Sequence, residues 1–97
     1  MVNITLQSIT KSHLPNKKFD AHLNVDGRKR IVAFGAKGMS DYTIHRDPQR
    51  KQRYISRHQA REDWNNPLTA GFWSRWYLWN EPTLSGSEND LRKRFGL

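Results

Sequence analysis

Five arginines recur in the middle of the chain at spacings of four, three, four and four residues: Arg46, Arg50, Arg53, Arg57 and Arg61. At about 100° per residue they fall on one side of a helix. Neighbouring arginines on one helix face repel each other, so a stripe without acids suggests contact with phosphates, carboxylates or the C-terminal carbonyls of another element. Guanidinium forks suit bidentate contact with such oxygens better than lysine ammonium groups do. The alternative interpretation is a solvated helix face that binds nothing.

Large aromatic side chains crowd the segment that follows, where five stand within eight residues: Phe72, Trp73, Trp76, Tyr77 and Trp79. Three of them have the i, i+3, i+4 spacing of one helix face. Such a stripe is usually core, and this is the interpretation we favour. Tryptophan and tyrosine are also enriched at binding hot spots and can stack on nucleic-acid bases. Because one small sheet cannot cover five large rings, we expect at least one at an interface.

No set of residues in the sequence assembles a catalytic site. The Gly-Ala-Lys-Gly run at 35–38 lacks the spacing and the Lys-Ser/Thr pair of a phosphate-binding loop. Tyr42, His45 and Asp47 are close in sequence, but no nucleophile or metal set completes a mechanism. The histidines show no metal-ligand spacing, the chain has no cysteine, and we predict that His58 is a half-buried packing residue. We therefore predict no enzymatic activity, no metal, no cofactor and no small-molecule substrate.

The composition points to a basic single domain. The 97 residues carry a formal charge of +8, and 35% of them are hydrophobic. Residues 1–35 hold six Lys/Arg against two acids and residues 36–62 seven against three, whereas residues 63–97 hold four of each. This imbalance predicts a polyanionic partner or an acidic protein surface. We expect no secretory signal, because the first residues lack a basic start and a long apolar run. No apolar run approaches the roughly 20 residues that span a membrane.

Alternating apolar and polar residues at 2–10, 19–25 and 28–34 predict three strands. The Asp26-Gly27 pair between the last two strands predicts a tight hairpin of type I′, which needs positive φ at both positions. Residues 1–35 are thus predicted to form an antiparallel meander. Residues 36–46 are predicted to form a connecting loop.

The remaining residues, 47–97, are predicted to be helical, which makes the whole chain one α+β domain. Asp47 followed by Pro48 predicts a helix start, and this helix should run to about residue 63 with Tyr54, Ile55 and His58 against the sheet. A second helix is expected at about 69–80. A third should run from the Ser-x-x-Glu capping box at 85–88 to residue 94. We expect Trp73 and Trp76 to close the core over Ile31 and Phe34.

Several motif words carry a resemblance to a known family: Gly-Ala-Lys-Gly at 35–38, Ser-Asp-Tyr-Thr-Ile-His at 40–45, Thr-Ala-Gly-Phe-Trp-Ser at 69–74 and Arg-Phe-Gly-Leu at 94–97. With these words, residues 34–97 resemble a family of small uncharacterised basic proteins of large DNA viruses that infect algae and protists. Glu81 stands where we associate a lysine with the family. The resemblance implies a viral origin but no activity and no catalytic residues.

A viral origin implies a structural protein of the virion, made in the host cytoplasm or nucleus. We predict a minor capsid or cement protein on the inner face of the shell, where the arginine stripe and aromatic anchors contact the major capsid protein or other capsid components. The neutral, aromatic C-terminal third favours this role. The alternative is a virion nucleic-acid-binding protein that coats or condenses the genome. An anionic inner-membrane surface is a further possible partner of the arginines.

Overall fold

The computed structural model describes residues 3–97, so Val2, the start of the predicted first strand, lies outside the described residues. Three strands come first and short helices follow. The elements are β1 (Ile4–Lys11), β2 (Lys17–Val25), β3 (Arg28–Ala36), α1 (Tyr42–His45), α2 (Pro48–His58), α3 (Ala70–Trp73), a π-helical segment (Ser74–Leu78) and α4 (Leu84–Phe95). The predicted α+β fold, with an N-terminal antiparallel sheet followed by helices, is confirmed.

The sheet is an antiparallel meander in the order β1-β2-β3. Asp26 and Gly27 have φ angles of 52° and 87°, so the hairpin between β2 and β3 has the positive φ values that a type I′ turn requires. The pairing of β1 shifts between Leu6 and Ser8. In a regular strand Leu6 and Ile9, three positions apart, would point to opposite faces of the sheet. The bulge places both on the same face.

One face of the sheet forms the core with the helices that cross it. Phe34 is fully buried, and its ring lies 6.2 Å from the ring of Trp73 and 5.8 Å from that of Tyr77. The Trp73 indole N–H donates a hydrogen bond to the Pro67 carbonyl at 2.7 Å, so this fully buried ring satisfies its one polar atom. α3 and the π-helical segment therefore hold the sheet in place.

The opposite face of the sheet differs from our expectation at Ile31. This side chain is 51% exposed, because Ile31 pairs with His22 on the outer face, whereas Val32 and Phe34 point to the core. Trp76 also does not close the core over the sheet, since it is only partly buried and packs edge-on against Phe95 of α4.

Asp20 is the buried carboxylate of this outer face. It accepts hydrogen bonds from the Ser12 hydroxyl at 2.6 Å and from the His13 backbone N–H at 3.0 Å. Burial by itself raises the pKa of Asp20, but the bonds from Ser12 and His13 outweigh it, and the pKa lies below its ordinary value. The ionised carboxylate thus fixes the turn between β1 and β2.

Tertiary contacts determine where some helices end, and at these positions the helix boundaries differ from the predicted ones. α2 starts as predicted, with the Asp47 carboxylate accepting the Gln49 N–H. It ends at His58 instead of residue 63, and the turn after it allows Trp64 to lie parallel to Tyr54 at 6.3 Å. Residues 59–62 have good helix propensity, but such packing commonly overrides propensity.

The start of α4 and the presence of α1 differ from the prediction. α4 begins at Leu84, because the Thr83 hydroxyl accepts the Gly86 N–H and serves as N-cap, so the predicted capping box at Ser85 is wrong. Within the predicted loop 36–46, Asp41 caps the short helix α1 by accepting the Thr43 N–H. The end of α4 is as expected, with Gly96 in the left-handed region at φ 66°.

Candidate functional site

Three of the predicted arginines share an exposed side of α2. Arg50, Arg53 and Arg57 are all exposed, and we call them the arginine surface. Among residues 3–97 they form no ion pair with a carboxylate and no side-chain hydrogen bond. Their mutual repulsion at spacings of three and four residues is thus not relieved within the described fold.

The other two predicted arginines lie outside α2. Arg46 is the residue after α1 and has a left-handed backbone with φ 54°, so the predicted stripe breaks between it and Asp47. Its Nε donates a hydrogen bond to the Pro82 carbonyl at 3.2 Å. Arg61 lies in the turn after α2. The prediction of one five-arginine helix face is therefore wrong, because the chain forms two helices joined at residues 46–47.

Tyr54 is the buried residue of α2 and packs this helix against the rest of the protein. Tyr54 is 8% exposed, and its ring lies between Trp79, 4.4 Å away with a 2° interplanar angle, and His58, 4.3 Å away. Burial raises the pKa of the Tyr54 phenol, and Glu62 adds to the effect. We expected this side of α2 to pack on the sheet; instead it packs on the end of the π-helical segment.

Lys51 supplies a second attachment of α2. Its Nζ donates a hydrogen bond to the Asn80 carbonyl at 2.6 Å and lies 4.9 Å from the centre of the Tyr42 ring. Burial lowers the pKa of Lys51, and the nearby Arg75 guanidinium lowers it further. This cation therefore fixes the helix, whereas the cations of the arginine surface are left to solvent.

A groove of about 680 Å³ runs between α2 and the end of β3. Its lining includes the small residues Gly35, Ala70, Gly71 and Ser74, and four cations, Lys17, Lys18, Arg57 and Arg61, against two acids. Of its acids, Asp41 pairs with Lys18 at 2.6 Å, and Glu62 accepts the Trp64 indole N–H at 2.8 Å. The groove therefore extends the positive character of the arginine surface towards the sheet.

The predicted aromatic residues are used mainly inside the fold. Phe72 and Trp73 are fully buried, and Tyr77 is 7% exposed with its ring edge-on to Phe19 at 5.3 Å. Trp79 has the Tyr54 ring stacked on it and the His45 ring tilted at 5.2 Å. These positions agree with the core interpretation. The expectation that one ring contacts a partner remains a prediction.

Trp76 is packed between two cations. The guanidinium carbons of Arg75 and Arg94 lie 4.3 and 4.5 Å from the centre of its ring. Arg75 also lies 5.4 Å from the Trp64 ring and donates to the Trp79 carbonyl at 2.9 Å, and its Nε has no partner in the described residues. Burial lowers the pKa of Arg75. Sequence reasoning missed Arg75 and Trp64; a lone arginine inside an aromatic run was the available signal.

The described part of the chain contains no group of three or more histidine, aspartate or glutamate side chains placed to hold a metal ion. No helix within residues 3–97 is long and apolar enough to cross a membrane.

Fold and surface together define a small α+β protein that exposes unpaired arginines on a short helix. The chain belongs to a family of unknown function, DUF5754, whose sequence model matches residues 7–58. The matched stretch ends with α2, so it contains the arginine surface but not Arg61 or the aromatic residues at 72–79. The family's description names no activity and no partner. The comparisons with curated proteins and with solved structures found no match.

Proposed function

We propose that this protein is a non-enzymatic binding protein that holds the phosphate backbone of a nucleic acid along α2. The observation that carries the proposal is the arginine surface, with three exposed guanidiniums that no carboxylate of residues 3–97 neutralises. From Arg50 to Arg57 the helix rises about 10 Å, the axial distance over which one strand of duplex DNA carries about three phosphates. Such contacts fix position but read no base sequence.

The position of the aromatic residues favours the nucleic-acid role over the capsid role. The sequence favours a capsid partner because its neutral aromatic third suits protein contact better than contact with a polyanion. Phe72 and Trp73 are instead core, and the rings of Trp76 and Trp79 are partly buried in contact with neighbouring side chains. Less aromatic surface is therefore available to a capsid partner, whereas the charge argument for a polyanion is unchanged. In a virion this protein would coat or condense the genome.

A second candidate is the minor capsid or cement role. The observation in its favour is a set of exposed apolar side chains outside the aromatic segment: Leu14, Met39 and Ile44. Exposed apolar residues beside cations suit a protein surface better than a phosphate backbone. Mass spectrometry of gently disrupted virions, with shell and genome fractions separated, distinguishes the two roles directly.

The arginine surface is tested by the salt dependence of binding to a short DNA duplex of mixed sequence. Replacing Arg50, Arg53 and Arg57 together by glutamine should flatten the slope of log K against log salt by about 2.7, which is about 0.9 for each lost phosphate contact. The matched control replaces Arg28, Lys29 and Arg30 of the β2–β3 hairpin by glutamine. These three are exposed and make the same change in net charge, and their loss should flatten the slope by less than about one unit.

Equal flattening by both triple variants would mean that binding follows net charge and not α2. Binding weaker than about 100 µM at physiological salt would fall below ordinary non-specific affinity and would reject the nucleic-acid role. Trp79→Ala is not a suitable test of a capsid contact, because Trp79 supports Tyr54 and its loss would disturb α2 itself.

A further inference from the structure

A second basic surface lies at the end of the sheet where β1 ends, β2 begins and β3 ends. It is a pocket of about 450 Å³, and we call it the lysine pocket. Lys11, Lys17 and Lys37 come from the three strand ends: Lys11 pairs with Phe19 across β1 and β2, Lys17 pairs with Ala36 across β2 and β3, and Lys37 follows β3. The sheet thus brings together three cations from three different strand ends.

The charge of the lysine pocket is not balanced within the described chain. Its acid is Asp41, and the Lys18 ammonium pairs with that carboxylate at 2.6 Å. Asp41 also caps α1 and accepts the Thr43 N–H at 2.9 Å. Lys11, Lys17 and Lys37 form no ion pair with any carboxylate of residues 3–97. Three ammonium groups therefore remain for an anionic partner.

Apolar side chains distinguish this pocket from the arginine surface. Phe19 and Leu84 line it and are partly buried against the core, and Ile44 of α1 lines it while 64% exposed. An isoleucine exposed to this degree beside a concave site leaves apolar area that a ligand side chain could cover. The pocket thus offers apolar contact in its lining and positive charge around it.

We propose that the lysine pocket docks an acidic peptide segment of a protein partner, with one large apolar side chain inserted between Ile44, Phe19 and Leu84 and flanking carboxylates on the three lysines. The concave shape favours an inserted side chain over a flat membrane surface. The apolar lining favours a peptide over a nucleic-acid backbone, which would leave Ile44 uncovered. None of Arg50, Arg53 and Arg57 lines this site, although the groove next to the arginine surface shares Lys17, Lys18 and Asp41 with it. The lysine pocket therefore gives the protein a second contact beside the first.

The probe is a fluorescein-labelled peptide, Asp-Glu-Phe-Glu-Asp, and its matched version has serine in place of phenylalanine. Fluorescence anisotropy at low salt should show that reversing Lys17 and Lys37 together to glutamate weakens binding about tenfold or more. The control reverses Lys29 and Lys93, which are exposed and, like Lys17 and Lys37, unpaired with described carboxylates, and this should change Kd less than about twofold. Ile44→Ser and the serine peptide should each weaken binding about fivefold.

Amide chemical shifts of the labelled protein locate the contact, and they should move at Lys17, Lys37 and Ile44 but not along α2. Equal affinity for the phenylalanine and serine peptides would overturn the apolar part of the site. An equal loss of affinity in the Lys17/Lys37 and Lys29/Lys93 double variants would overturn the site altogether. If vesicles of phosphatidylcholine and phosphatidylserine bind through the same lysines and the peptide does not, the partner of the pocket is a membrane and the peptide proposal is rejected. Peptide-induced shifts confined to α2 would also reject the proposal.

Discussion

Removing the Tyr54 ring should detach α2 while the sheet stays folded. The ring is 8% exposed and stacks on Trp79 and His58. A buried aromatic side chain covers about 150–250 Å², and truncation of such a ring to alanine costs about 3–5 kcal/mol. The hydrogen bond from the charged Lys51 ammonium to Asn80 contributes about 1.5–3 kcal/mol, which is less than the loss of the ring. Because an isolated helix of eleven residues is marginal in water, α2 should not survive as a docked helix in Tyr54→Ala.

Hydrogen exchange measured residue by residue is the assay. In Tyr54→Ala the amides of α2 should lose protection by about two to three powers of ten, whereas the amides of β2 and β3 should change little. Tyr54→Phe keeps the stacked ring and serves as the control with unchanged protection. DNA binding should weaken in the alanine variant although its net charge is the same. Full protection of α2 without the ring, or equal loss in the sheet, would refute the assignment of Tyr54 as the attachment of α2.

Three further predictions concern the fold itself. Trp73→Ala should lower the free energy of unfolding by about 3–5 kcal/mol in denaturant titrations, and the exposed Ile31→Ala by less than about 0.5 kcal/mol; similar values for both would contradict the core given above. The folded pKa of Asp20 is lowered, so its stabilisation is present above the ordinary pKa of about 4 and is lost as pH falls through the folded value. Asp20→Asn should therefore reduce stability at neutral pH and flatten its acid dependence, and an unaltered acid profile would count against this. Thr83→Ala should cost about 1 kcal/mol by thermal melting and Ser85→Ala nearly nothing, whereas the reverse order would restore the predicted capping box.

Local signals in the sequence identify the sheet and the start of α2, because their causes are local. The Asp26-Gly27 turn and the Asp47-Pro48 start need only a few neighbouring residues to form, and both occur as predicted. The alternating strands predict which residues face the core at Leu23 and Phe34. The bulge in β1 was not predicted from the sequence. It reverses which residues face the core after Leu6.

The candidate site depends on contacts between distant segments, and these were not predictable in the same way. A single left-handed residue, Arg46, separates two helices that a regular arginine spacing suggested were one. The spacing of Trp73, Trp76 and Tyr77 assumes α-helical geometry, but the chain is π-helical from Ser74 to Leu78. The wider π turn, closed by the bond from the Trp79 N–H to the Ser74 carbonyl at 3.1 Å, changes which rings share a face.

The layer of helices after residue 69 has a consequence for the stretch that the family model matches. Residues 7–58 contain most of the sheet together with α2. The rings that cover these elements come later in the chain: Trp73 and Tyr77 pack on Phe34, and Trp79 packs on Tyr54. By itself this stretch would leave the apolar face of the sheet exposed, and α2 would lack the ring against which Tyr54 packs. In this protein the matched stretch is therefore only part of the folding unit, because the helical layer that covers it comes from residues 69–97.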